Sequence, residues 1–207
     1  RLSTEEDYSA VIYSKEDLII NGNGTLNVNA GYRNGIKSTD DCIIVSGTLN
    51  ITSTEDGIIG KDLCGIVAGD ININAGSDGI KSTYDTDTTK GNVIIEGGNI
   101  TIKASNDGIQ AENILVINDG TINIKTNNGA ADTTQTHIDN MDMGRGGFGF
   151  NNNKTTTTTD DTSESRKGIK AGNMLIINDG DITIDSDDDS VHCNSVIYIY
   201  GGTINAA

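Results

Sequence analysis

The chain has 207 residues, of which 34% are apolar and 4% aromatic, with 26 glycines and no proline. So little apolar material excludes a thick globular core and leaves either disorder or an elongated fold with a thin one. A formal net charge of −16 excludes nucleic acid and anionic membrane as primary partners and suits divalent cations.

A repeat of about 22 residues runs through the sequence. The first turn of it lies between Tyr8 and Asn29. The next opens on Asn34-Gly35-Ile36, continues through the strand CIIV, and ends on Gly47 with GTLNITS. Asp56-Gly57-Ile58 then leads to CGIV and, after Gly69, to DININA. Asp78-Gly79-Ile80 leads to VIIE and, after Gly98, to NITIKA. Asp107-Gly108-Ile109 leads to LVIN and, after Gly120, to TINIKT. Lys167-Gly168-Ile169 leads to LIIN and Gly180, and Asp189-Ser190-Val191 leads to IYIY and Gly202. After each marker glycine, positions two and four are apolar (Leu49/Ile51, Ile71/Ile73, Ile100/Ile102, Ile122/Ile124, Ile182/Ile184) and their neighbours polar. That is the period-2 pattern of a strand with one buried face.

Each repeat thus holds two clear strands and a short third, joined by tight corners. A unit this short cannot bury its apolar face alone, so successive units must stack. Strands that return to the same column pair in parallel, with right-handed crossovers. The prediction is an all-β, right-handed parallel β-helix of about seven coils, on the order of 35 Å long. A leucine-rich repeat would need a helical segment and an LxxLxLxxN frame, and a nonapeptide calcium solenoid a GGxGxD period; the sequence has neither. Residues 1–207 read as a single domain with outward insertion loops at about 84–89 and 128–166. The chain opens on Arg1 with no apolar leader, which reads as a trimmed segment, and no apolar run of about 18 residues exists to span a membrane.

Stacking turns periodicity into proximity. Asp56, Asp78 and Asp107 should share one column, with backbones about 4.8 Å apart. Asp before Gly is a good turn residue, which accounts for each one singly. The column as a whole repels itself by about 1 kcal/mol per pair in water, and it calls for a cation. Hard carboxylate oxygens suit calcium, so Ca2+ is the expected cofactor, with Asp187, Asp188 and Asp189 as a second acidic group. Asp40-Asp41, Asp62 and Asp85/Asp87 mark further acidic corners.

The polar positions of the alternating strand form a ladder that includes Asn50, Asn72, Thr101 and Asn123. It serves either strand-to-strand hydrogen bonding or an ordered polymer ligand. In the long insertion Phe148 and Phe150, the only phenylalanines, and Arg145 are candidate sugar contacts. Cys42 and Cys64 share an inward column and read as buried thiols, as does Cys193; three cysteines make no disulfide framework. For catalysis, the weak candidates are Lys170 and His192, which share one outward column. A lyase acting on uronic acids would want a cation for the carboxylate and a base for the α-proton.

These coils resemble the calcium-binding, carbohydrate-binding right-handed β-helix proteins of clostridial cell surfaces, which look like polysaccharide lyases. The resemblance rests on the Asp-Gly-Ile corners, on NILVINDGTINIKT and NMLIINDGDITIDS, and on the Gly/Asn/Thr-rich insertion. It implies an extracellular or cell-surface domain that binds cellulose-like or acidic polysaccharide with calcium held in the coils. It transfers no catalytic residues. The expectation is therefore binding rather than catalysis, with a calcium-dependent lyase as one alternative. The other is a filament or surface-layer subunit, because the final GGTINAA ends inside a strand and solenoid ends expose unpaired edges that self-associate.

Overall fold

The computed structural model describes residues 9–130 and 165–207. Three parallel sheets of seven strands each wrap one core, which is the right-handed β-helix that the repeat predicts. Every coil contributes one strand to each sheet in turn. In the third coil these are Ile58–Gly60 in the first sheet, Leu63–Ile66 in the second and Asp70–Ala75 in the third. All pairing is between neighbouring coils and in register: Ile71 lies between Leu49 and Ile100, and Ile80 between Ile58 and Ile109.

The core is a set of isoleucine columns. Ile58, Ile80, Ile109 and Ile169 are fully buried in the first sheet, as are Ile44, Ile66, Ile95 and Ile117 in the second and Ile71, Ile100, Ile122 and Ile182 in the third. β-Branched side chains fit here because they stack flat on their own kind along the column. The small corner residues Ala75, Ala104, Thr126 and Ser186 are buried with them.

Two glycine columns set the pitch. Gly69 has φ of 120°, a conformation that L side chains rarely adopt, and a Cβ there would stand 2.6 Å from the Gly47 carbonyl oxygen. Gly79 has no such backbone need, yet a Cβ would meet Gly108 O at 2.5 Å and Ile102 Cγ2 at 2.4 Å. This glycine exists because the next coil passes directly over it. The last coil carries Ser190 at the same position; no described coil lies on it, and its hydroxyl donates to Ala207 O at 2.8 Å.

The short insertion leaves the body between Ser82 and Asn92. It is tied back by the Lys90–Asp62 ion pair, by Asn113 Nδ2 donating to Thr88 O, and by Tyr84 lying under the ammonium groups of Lys61 and Lys90 at 4.7 and 5.0 Å. In the last coil Ile197 and Ile199 continue inward columns but are 41% and 55% exposed. Cys193, expected to be buried, is only half-buried there for the same reason, whereas Cys42 and Cys64 are fully buried, paired in register and free.

Candidate functional site

The Asp-Gly-Ile corners do bring Asp56, Asp78 and Asp107 into one column. Their oxygens are not left facing one another. Asp56 Oδ1 accepts from the Asp78 amide at 3.0 Å, Asp78 Oδ1 from the Asp107 amide at 2.9 Å, and Asp107 Oδ1 from the Lys167 amide at 2.8 Å. Asn34 begins the series with its Oδ1 on the Asp56 amide at 2.9 Å. Each side chain thus holds the backbone of the coil above. The second oxygens of two of them carry lysines: Lys81 on Asp78 at 2.5 Å and Lys170 on Asp107 at 3.1 Å. Burial holds the Asp78 carboxyl above its ordinary range; Lys81 opposes the rise, and Asp56 and Asp107 add to it. Donors from the protein thus serve both oxygens of Asp78 and of Asp107, and one of Asp56.

Asp187, Asp188 and Asp189 receive similar treatment. Arg166 pairs with Asp187 at 2.8 Å, and Lys167 reaches Asp188 at 2.5 Å and Asp189 at 3.0 Å. The Lys167 hydrogen bond, helped by His192, holds Asp189 below the usual carboxylate range. Among the described residues Asp187 Oδ1 is buried without a partner, so this corner keeps one open oxygen.

The catalytic candidates share a column, with Lys170 in register with His192. Lys170 donates to Asp107 and to Ser165 Oγ at 3.2 Å, and His192 lies 2.8 Å from Asp189 and 3.0 Å from Asn194. Lys170 is thus engaged by a buried carboxylate and a serine hydroxyl of its own chain.

The acidic corner most open to a cation is one that the sequence reading named but did not favour. Asp17, Asp40 and Asp41 bring carboxylate oxygens within 4.8 Å of one another at the corner between the first and second sheets. A carboxyl–carboxyl hydrogen bond to Asp62 raises Asp40 above the ordinary 3.8, and Asp17 and Asp41 add to the rise. Burial raises Asp41, again with help from Asp17 and Asp62. Asp17 carries no repeat signal, so only the register of the first coil reveals it.

Two outer faces are long enough to meet a polymer. On the third sheet, Asn50 Nδ2 donates to Asn27 Oδ1 at 2.8 Å and Asn72 Nδ2 to Asn50 Oδ1 at 3.1 Å, so these amides stabilise the stack. Thr101 and Asn123 continue the ladder in register and are exposed. A shallow hollow of about 330 Å³ at the corner beside it is lined by Asp119, Asp179 and Asp181 with Asn99 and Thr121. The second sheet differs: its outward positions are mostly apolar, with Asp41 and Asn92 the polar exceptions within its strands. Phe148, Phe150 and Arg145 lie outside the described residues.

The described residues thus form a right-handed β-helix solenoid with long, regular outer faces. A family described as carbohydrate-binding domain-containing protein matches residues 1–207, and the chain belongs to that family. A carbohydrate-binding domain-containing protein of Acetivibrio thermocellus is 44% identical over 43 residues, which is 21% of this chain and 15% of that protein. The solved polysaccharide lyase-like protein from C. thermocellum, a gadolinium derivative, superposes with a TM-score of 0.62 at 25% identity, covering 96% of this chain and 57% of that one. The chain therefore spans little more than half of the solved relative and a smaller part of the other.

Proposed function

We propose that this β-helix is a polysaccharide-binding domain that works outside the cell or at its surface, stabilised by calcium, with cellulose-like polymer as its ligand. Membership of the carbohydrate-binding family over residues 1–207 carries the reading. An acidic polysaccharide meets a chain of net charge −16, so calcium must bridge the two if it binds at all. The corner at Asp17, Asp40 and Asp41 fits calcium: it offers hard oxygens, and neighbouring carboxylates raise Asp40 and add to the burial that raises Asp41, with Lys90 opposing the rise at Asp41. A lanthanide seeks the same oxygens, and the solved relative is a gadolinium derivative. Binding is favoured over lyase chemistry because Lys170 is committed to Asp107.

The test is a pull-down of the whole chain on insoluble cellulose and on immobilised polygalacturonate, with calcium or with chelator. Retention on cellulose in both conditions, and on polygalacturonate only with calcium, is the expected result. Retention on neither polymer in calcium overturns the reading. End-to-end association is a second reading, favoured by the exposed Ile197 and Ile199 of the last coil; electron microscopy of the purified chain tests it.

A further inference from the structure

Parallel strands that read as unbroken apolar runs are normally covered on both faces. The second sheet reads that way and is covered on one. Its inner columns meet the core. Its outer middle column runs Ile19, Ile43, Gly65, Ile94, Val116, Ile176 and Tyr198, in register along all seven coils. Flanking positions add Ile114, Met174 and Val196 on one side and Val45, Val67 and Tyr200 on the other. Ile19, Val67, Tyr198 and Tyr200 are 62%, 43%, 42% and 70% exposed. The third sheet, with equal access to water, shows only polar residues on its outside, so the fold itself does not demand apolar residues there. A contiguous apolar strip of this kind marks a surface with a partner.

We infer that this outer face of the second sheet is the polysaccharide platform, and that it takes an uncharged, β-linked glycan laid along the coil axis. The inference rests on the carbohydrate-binding reading above and names its site. Three observations select a sugar polymer over another occupant. The rings of Tyr198 and Tyr200, two residues apart in the last coil and so side by side across the strip, lie within 7° of parallel with centroids 6.0 Å apart. Pyranose rings offer C–H faces that pack on aromatic and aliphatic side chains, and tyrosine keeps a hydroxyl for the sugar's own. An amide ladder edges the strip: Asn178 Nδ2 donates to Asn118 Oδ1 at 2.6 Å, and Asn118 Nδ2 to Glu96 Oε2 at 2.8 Å. The remaining amide and carboxylate lone pairs suit hydroxyls. Charge completes the case: Glu96 and Asp41 are the ionisable groups on this strip and both are acidic, so the complementary polymer is neutral rather than anionic.

The experiment compares wild type with Y198A/Y200A, Y198F/Y200F and, as a control on the first sheet, K37A. Each full chain is run in affinity electrophoresis through a soluble neutral β-glucan and pulled down on cellulose. Roughly tenfold or greater weakening in Y198A/Y200A, with Y198F/Y200F largely retained and K37A unchanged, is expected. Both tyrosines are exposed, so melting temperatures should match wild type and exclude misfolding as the cause. Wild-type binding that survives in Y198A/Y200A overturns the platform and leaves the general reading intact. Wild type that binds no polymer overturns the general reading, and the platform with it. A concentration-dependent dimer in sedimentation that Y198A/Y200A breaks, with glycan binding unmoved, assigns the strip to a second copy instead and overturns it too.

Discussion

Replacing Gly79 with alanine tests whether coil contact, rather than backbone conformation, keeps glycine in the Asp-Gly-Ile corner. The added methyl would sit 2.5 Å from Gly108 O and 2.4 Å from Ile102 Cγ2. Neither neighbour can swing away. The oxygen belongs to a backbone that accepts the Ile80 amide at 3.0 Å, and Ile102 is fully buried. Relief therefore requires two coils to part locally or an isoleucine to leave its rotamer, which costs about 1–3 kcal/mol. Ser190 provides the internal comparison, since it occupies the same column with no described coil above it; S190A adds no steric contact and should lose only the hydrogen bonds of its hydroxyl, about 0.5–1.5 kcal/mol. Urea denaturation followed by far-ultraviolet circular dichroism measures both, with unchanged slope showing that the same surface is exposed. A G79A variant within about 0.5 kcal/mol of wild type refutes the close-contact argument.

Other predictions follow from the same contacts. D107N keeps an oxygen for the Lys167 amide, whereas D107A removes both that acceptor and the Lys170 partner; D107A should be the less stable variant by on the order of 1–2 kcal/mol, read in the same denaturation assay. At the acidic corner proposed for calcium the folded Asp40 and Asp41 carboxyls titrate above 3.8, so the metal-free fold holds extra protons and loses stability as pH rises through and beyond that value. Calcium should then raise the melting temperature at pH 7 but hardly at pH 4, and D40N/D41N should abolish the calcium effect; an equal response at both pH values contradicts the assignment. Asp189 behaves in the opposite sense. Its carboxyl is held below 3.8, so its contribution is present above that pH and fades as acid protonates it, and D189N should flatten that limb of an acid-unfolding curve. Burial and its neighbour Cys42 push the Cys64 thiol well up, so in the native protein an aromatic disulfide reagent should titrate Cys193 first and the Cys42/Cys64 pair only on unfolding.

The coil architecture was legible because its cause is local and repeated. Period-2 alternation after each marker glycine can satisfy only a half-buried strand, and repetition at constant length can satisfy only stacking. Insertions did not hide this, since the columns resume in register on either side of them. The fate of the carboxylates was not legible in the same way. Asp107 is served by Lys170 across 63 residues and by the Lys167 amide across 60, and Arg166 meets Asp187 only where the chain re-enters the coils. Charge repulsion within a column can be reasoned from spacing; apart from Lys81 on Asp78, the donors that relieve it arrive from other coils.

Which residues point inward is therefore a property of the chain alone, since alternation and hydrophobicity decide it before any coil meets another. What lies against an outward residue is decided by tertiary structure. Aspartates that look alike in sequence become backbone clamps at Asp56, Asp78 and Asp107, whereas Asp17, Asp40 and Asp41 gather their oxygens into one acidic cluster. The strands CIIV, LVIN and IYIY are largely apolar runs without alternation, and only the assembled coils show which of their side chains face outward. The physical reason is the same in both cases. Side-chain direction follows from the pleat of one strand, whereas neutralisation and burial depend on what the other coils bring within a few ångströms.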